Sequence, residues 1–185
     1  MLVELLDELP FELGPKLFQR EVFRDKRGSF EMLFQEDVIK SHFQNFPSMK
    51  QINSIWAVKG ALRGFHSAES GKNHWKIVTC IVGKVLDAVM DLRESSVTFG
   101  QVRFAEIDSM YPESLVIPPG FGHAVQSLTS NSLTIYATNI EYKDNDEFAI
   151  HPVNGKWGAN WIKPTILSER DSMGNNLNHF FKNKD

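Results

Sequence analysis

With one cysteine in 185 residues, Cys80, the chain cannot form an internal disulfide, and nothing in it calls for an oxidising compartment. Basic excess is missing too. Its 20 lysines and arginines are outnumbered by 23 aspartates and glutamates, so a formal charge of -3 offers nucleic acid no bulk attraction. No apolar run is long enough to span a bilayer. The opening Met1-Leu-Val-Glu-Leu-Leu-Asp-Glu-Leu-Pro10 carries acids inside its apolar stretch and no basic leader, so a secretion signal is not expected. Internal repeats, low-complexity tracts and linkers are likewise missing. These absences predict a soluble cytoplasmic protein with no nucleic-acid or membrane partner. Cys80, within Ile77-Val-Thr-Cys-Ile-Val82, reads as a buried inert thiol. At 42% hydrophobic residues the chain can bury its own core, and one domain over 1–185 is expected, with 1–15 and 175–185 peripheral or loosely held.

Helical patterning is also sparse. Runs rich in β-branched and aromatic residues, cut at short intervals by Gly, Pro, Asn and Asp, predict strands over 16–23, 29–34, 51–57, 61–65, 76–92, 101–107, 114–117, 124–127 and 133–142. The longest is expected to turn at Gly83-Lys84. This is the pattern of an all-β antiparallel sandwich or barrel. Residues 36–43 have helical apolar spacing, and a short helix is expected after Ser168, with Asp171 in its first turns.

Two glycine-bounded blocks carry the chemistry: Gly60-Ala-Leu-Arg-Gly-Phe-His66, continuing through His74-Trp-Lys-Ile-Val to Gly83, and Pro118-Pro-Gly-Phe-Gly-His123. Together they resemble the paired motifs of cupins, jelly-roll barrels whose first block supplies two histidines and a glutamate and whose second supplies one histidine. His66 and His123 match. The second histidine position is Ala68, and the glutamate position is Lys76, whose ammonium has three donors and no lone pair and repels a divalent cation. No metal is expected; His74 or Glu69 would have to replace the lost ligands in a metal-dependent cupin, which stays as an alternative.

Further segments narrow the likeness. Phe23-Arg-Asp-Lys-Arg-Gly-Ser-Phe-Glu31, Gln51-Ile-Asn-Ser54, Leu62-Arg-Gly-Phe-His66, Lys76-Ile-Val-Thr-Cys-Ile-Val-Gly83, Asp91-Leu-Arg-Glu-Ser-Ser-Val-Thr-Phe-Gly100, Ile117-Pro-Pro-Gly-Phe-Gly-His123 and Ile166-Leu-Ser-Glu-Arg-Asp171 stand in one order. In that order they resemble the dTDP-4-dehydrorhamnose 3,5-epimerase family. The resemblance implies a cupin-like jelly roll acting on a nucleoside-diphosphate-linked 4-keto-6-deoxy sugar. The ketone acidifies the protons at C3 and C5, and each centre inverts through an enolate with no cofactor, because the substrate carries its own electron sink. By the same resemblance His66 is the base, Asp171 its partner, Lys76 the charge beside the carbonyl oxygen and Tyr136 the proton donor on the opposite face. Phe23, Arg27, Glu31, Gln51, Asn53 and Arg63 fall at positions that bind the nucleotide, with Arg27 and Arg63 suited to phosphate. His123 is either a ligand contact or a hydrogen-bonded wall residue, and Tyr142 competes with Tyr136.

For several of these residues a structural explanation stands beside the functional one. Asp171 also suits a helix N-terminus, and Arg27 with Asp25 suits a turn held by a local ion pair. Relatives commonly pair as homodimers, which would let Phe23 and Arg27 act across the interface. Ala68 where glutamine is usual, the stretch Glu69-Ser-Gly-Lys-Asn-His-Trp75, and Asn154-Gly-Lys-Trp-Gly-Ala-Asn-Trp161 depart from the family near the pocket. They leave open the base, the sugar and whether one or both centres invert. The alternatives are a 3- or 5-monoepimerase on another 4-keto hexose or heptose, a ketoisomerase, and a catalytically silent nucleotide-sugar-binding subunit.

Overall fold

The computed structural model of the chain describes residues 3–4, 14–68, 73–141, 147–155, 157 and 160–177. Along these run β1 (Val3–Glu4), β2 (Lys16–Gln19), β3 (Val22–Asp25), β4 (Gly28–Glu31), α1 (Glu36–His42), β5 (Gln51–Ala57), β6 (Leu62–Ala68) and β7 (Lys76–Val82). They continue with β8 (Lys84–Asp91), β9 (Val102–Asp108), β10 (Glu113–Ile117), β11 (Phe121–Ser127), β12 (Ser132–Thr138), β13 (Glu147–Ala149) and α2 (Glu169–Ser172). The strands form a six-stranded sheet, β1-β2-β10-β7-β12-β5, and a five-stranded sheet, β13-β6-β11-β8-β9, with every pairing antiparallel. This is the expected all-β, cupin-like jelly-roll architecture. No helix among the described residues is long and apolar enough to cross a membrane.

Three apolar layers explain why so many strands read as continuous hydrophobic runs. Between the sheets, Val78, Cys80, Leu115 and Ile117 of one meet Val85, Val89, Ile107, Phe121 and Val125 of the other. Outside the six-stranded sheet, Phe18, Ile77 and Val116 are covered by Ile39 and Phe43 of α1 and its flank, together with Phe46 and Trp75. Outside the five-stranded sheet, Leu62, Phe65, Ala88, Met90 and Ala124 lie under Ile150 and Trp161. A strand such as β7 is therefore buried on both faces from Lys76 to Cys80. Burial also pushes the Cys80 thiol up to about 11.

The expected turn at Gly83 separates β7 from β8: its φ is +75°, and a Cβ there would meet the Asn131 carbonyl oxygen at 2.4 Å. The expected strand over 16–23 instead divides. Buried Arg20 ends β2 by bonding its backbone N–H to Pro112 and its guanidinium to Glu31, and Val22–Asp25 pairs with Gly28–Glu31 as a hairpin outside both sheets. The strand over 133–142 stops at Thr138, whose hydroxyl accepts the Ile140 N–H. Tyr142 lies outside the described residues.

Candidate active site

In an antiparallel pair, residues directly opposite share a face. His66 lies opposite His123, which lies opposite Val89, so both histidines look into the space between the sheets. Strict alternation would turn Arg63 away from that space, but the register shifts between His123 and Val125, and Arg63 comes to lie opposite inward-facing Val125. The shift passes through Gly64, where φ is +111° and a Cβ would stand 2.3 Å from the His123 carbonyl oxygen. Phe65, next along, points outward into the layer under Ile150 and exchanges backbone hydrogen bonds with it.

Asp171 reaches His66 from 105 residues away. Backbone bonds from Leu62 N to Ile166 O and from Ile166 N to Gly60 O lay the C-terminal segment along the start of β6. Ser168 caps α2 by accepting the Asp171 N–H at 3.1 Å, which sets the carboxylate in the helix's first turn. There its Oδ1 stands 2.6 Å from His66 Nε2, with the Asp171 side chain 3% exposed. Burial alone would raise this carboxyl, but the His66 bond and charge, Ser168 and the Gly64 N–H together hold it below its ordinary value. A carboxylate accepting Nε2–H leaves Nδ1 of His66 bare, and a bare ring nitrogen can take a proton.

Lys76 opens β7 facing inward, opposite Thr138, and is 9% exposed. Its Nζ donates to Glu147 Oε1 at 3.0 Å. Burial would raise Glu147, yet Lys76, His66 and His74 together hold it below the usual carboxylate range. His123 Nε2 stands 2.8 Å from Asp87 Oδ2. Asp87 is fully buried, and desolvation pushes its carboxyl up against the opposing pull of His123 and Lys76; its Oδ1 has no hydrogen-bond partner among the described residues. Tyr136 packs against the same inner layer from the facing sheet, opposite Asn53 and Val78. Gln51 donates to Asn53 Oδ1 at 2.8 Å, and Asn53 Nδ2 is buried without a partner among the described residues. Leaving such a donor unsatisfied costs about 1–3 kcal/mol, which a ligand oxygen would relieve.

The barrel interior thus gathers His66, Asp171, Lys76, His123, Tyr136, Gln51 and Asn53, while Arg63, on the same face of β6 by register, is exposed. Phe23, Arg27 and Glu31 stand elsewhere, on the β3–β4 hairpin. There Arg27 is 84% exposed at its side chain and grips Asp25 with two nitrogens, Phe23 stacks near Phe30 at 6.2 Å, and Glu31 is held by Arg20. Glu147 and Asp87 are the charged residues that the motifs did not single out. Among the described residues no group of three or more His, Cys, Asp or Glu side chains is arranged to hold a metal ion.

A family model described as dTDP-4-dehydrorhamnose 3,5-epimerase matches residues 13–179. A Streptomyces griseus protein of the same name is 32% identical over 161 residues, covering 85% of this chain and 80% of that one. The crystal structure of dTDP-4-dehydrorhamnose 3,5-epimerase from Sulfolobus tokodaii superposes with a TM-score of 0.83 at 32% identity, covering 96% of each chain. That of a 3'-monoepimerase from Streptomyces bikiniensis in complex with dTDP-quinovose superposes with a TM-score of 0.84 at 27% identity, covering 89% of this chain and 84% of the other.

Proposed function

Because the chain belongs to the dTDP-4-dehydrorhamnose 3,5-epimerase family, we propose that it inverts C3, C5 or both in a nucleoside-diphosphate-linked 4-keto-6-deoxy sugar. The observation that carries this reading is the His66–Asp171 pair, with an inward-facing lysine in the same cavity. His66 Nδ1 takes the proton from the carbon beside the ketone, and Asp171 stabilises the imidazolium that forms. Lys76 stands by the carbonyl oxygen and stabilises the enolate as negative charge gathers there. Tyr136, reaching in from the other sheet, returns a proton from the opposite face. Glu147 offsets the Lys76 charge in the resting site, so the ammonium can be buried before substrate arrives.

The carrier we propose is dTDP, with Arg63 on its diphosphate, His123 on the sugar, and Gln51 and Asn53 on the nucleoside. Phe23, Arg27 and Glu31 fit this scheme through a homodimer in which one protomer's hairpin meets the other's barrel. Support comes from Phe23 and Phe30 at 51% and 64% exposed, apolar surface that a partner would cover. A cytoplasmic location agrees with the free, buried Cys80.

The test is incubation in deuterated water with a panel of nucleotide-linked 4-keto sugars, followed by mass spectrometry. Deuterium entering at carbon supports the reading, and one or two atoms per sugar separate single from double inversion. No carbon-bound deuterium with any member of the panel would overturn it.

A further inference from the structure

We propose that His74 is a positioning residue that holds Glu147 against Lys76 and so fixes the ammonium beside the substrate carbonyl, a role that rests on the reading of Lys76 given above. His74 is placed with unusual firmness. Asn139 accepts the Trp75 N–H at 2.8 Å and donates to the Asn73 carbonyl at 2.7 Å, while Trp75 Nε1 donates to the Asn73 side chain at 2.8 Å. Trp75 meanwhile points outward, edge-on to Phe43 and Phe46 at 5.2 Å each. With Trp75 anchored outward and the backbone tied to the end of β12, the residues on either side, His74 and Lys76, both turn inward.

Thr138 and Glu147 are polar neighbours of the His74 ring. Thr138 Oγ1 accepts the Ile140 N–H at 3.3 Å and lies 2.9 Å from His74 Nε2, and in the proposed arrangement its own hydrogen goes to that nitrogen. Accepting it requires a bare Nε2, which puts the ring hydrogen on Nδ1. Nδ1 in turn faces Glu147 Oε1 at 3.8 Å, the same oxygen that takes the Lys76 bond at 3.0 Å. The three side chains are 12%, 15% and 11% exposed, so this contact works with little solvent screening. His74 therefore stands between Thr138 of the six-stranded sheet, to which it is hydrogen-bonded, and Glu147 of the five-stranded sheet, which it faces at the point where Lys76 stands.

If His74 acts through Glu147, its removal loosens the ammonium more in the transition state, where the oxygen is charged, than in the bound ketone. With a dTDP-linked 4-keto-6-deoxyhexose, His74→Ala is expected to lower kcat about tenfold while KM moves less than about twofold. His74→Gln, whose amide can bond both neighbours, recovers most of that loss. The double variant H74A/E147Q is expected to be no slower than E147Q alone. In the unliganded protein, nitrogen-15 NMR of the ring is expected to show a neutral His74 with its hydrogen on Nδ1.

Multiplying losses in the double variant, equal loss in His74→Ala and His74→Gln, or a hydrogen on Nε2 would each overturn the proposal. Should His74→Ala fail to fold, H74Q/E147Q and the NMR measurement decide it. Carbon-bound deuterium that Lys76→Met abolishes, alongside such a negative cycle, removes the role of His74 alone; no deuterium with the wild-type chain removes the epimerase reading with it.

Discussion

A hydrogen on carbon beside a ketone is held too tightly for water to remove quickly, and the base proposed for it is an imidazole with one nitrogen already committed to a carboxylate. His66 keeps its orientation because Asp171 is held on three sides, by His66, the Ser168 hydroxyl and the Gly64 N–H. Asp171→Asn keeps the shape but can donate to Nε2, favouring the wrong tautomer, so kcat is expected to fall about 10²- to 10⁴-fold with little change in melting temperature, read by steady-state kinetics and thermal unfolding. Tyr136→Phe is expected to slow reprotonation more than proton removal, so washout of carbon-bound label persists while product formation drops; equal loss of both would remove the donor role. His66, Lys76 and Asp171 were legible because each sits in a quoted motif. Glu147 was not, since among Asp144, Asp146 and Glu147 one acid looks like part of a solvated run, and only the pairing of Glu147 with Ala68 turns it inward. Asp87 did leave a signal: an acid flanked at both second neighbours by Val85 and Val89 in a strand must share their buried face.

At the scale of the element, the register shift in β6 lets Arg63 and His66 share a face while Leu62 and Phe65 share the other. Gly64→Ala would drive a methyl into the His123 backbone at a positive φ, and is expected to cost about 2–4 kcal/mol in chemical denaturation, with activity falling through misplaced His66. Alternation over 61–65 could not reveal this shift, since a bulge obeys no period. Strands such as 51–57 and the turn at Gly83 were legible because patterning and turn chemistry agree there. The β8–β9 connection stores a separate effect: Asp91, fully buried, would be raised by burial but is carried down to about 2 by Arg93, Ser96 and Thr98. A lowered carboxyl stabilises the fold above its unfolded value near 3.8 and loses that contribution as pH falls toward 2. Roughly 2 kcal/mol of acid-sensitive stability is expected from it, absent in Asp91→Asn when unfolding is followed from pH 6 to pH 2.5.

Across the whole molecule, two sheets and a returning C-terminal segment bring together inward-facing side chains from β5, β6, β7, β11, β12, β13 and α2, which is why single motifs named most of them but not their contacts. The hairpin of β3 and β4 is the part that a lone barrel does not use. If it completes a partner's site, Arg27→Ala and His66→Ala proteins, each impaired, are expected to regain activity when mixed and allowed to exchange subunits, since one site then holds both native residues; no recovery in a confirmed mixed dimer would place Arg27 outside the site. The central claim, that His66 with Asp171 behind it removes a proton from carbon, is tested most directly by following solvent deuterium into a dTDP-linked 4-keto-6-deoxy sugar with the wild-type chain and with a folded His66→Ala variant. Rapid entry at C3, C5 or both in the first and none above the uncatalysed rate in the second is the predicted result, and undiminished entry with His66→Ala would contradict it.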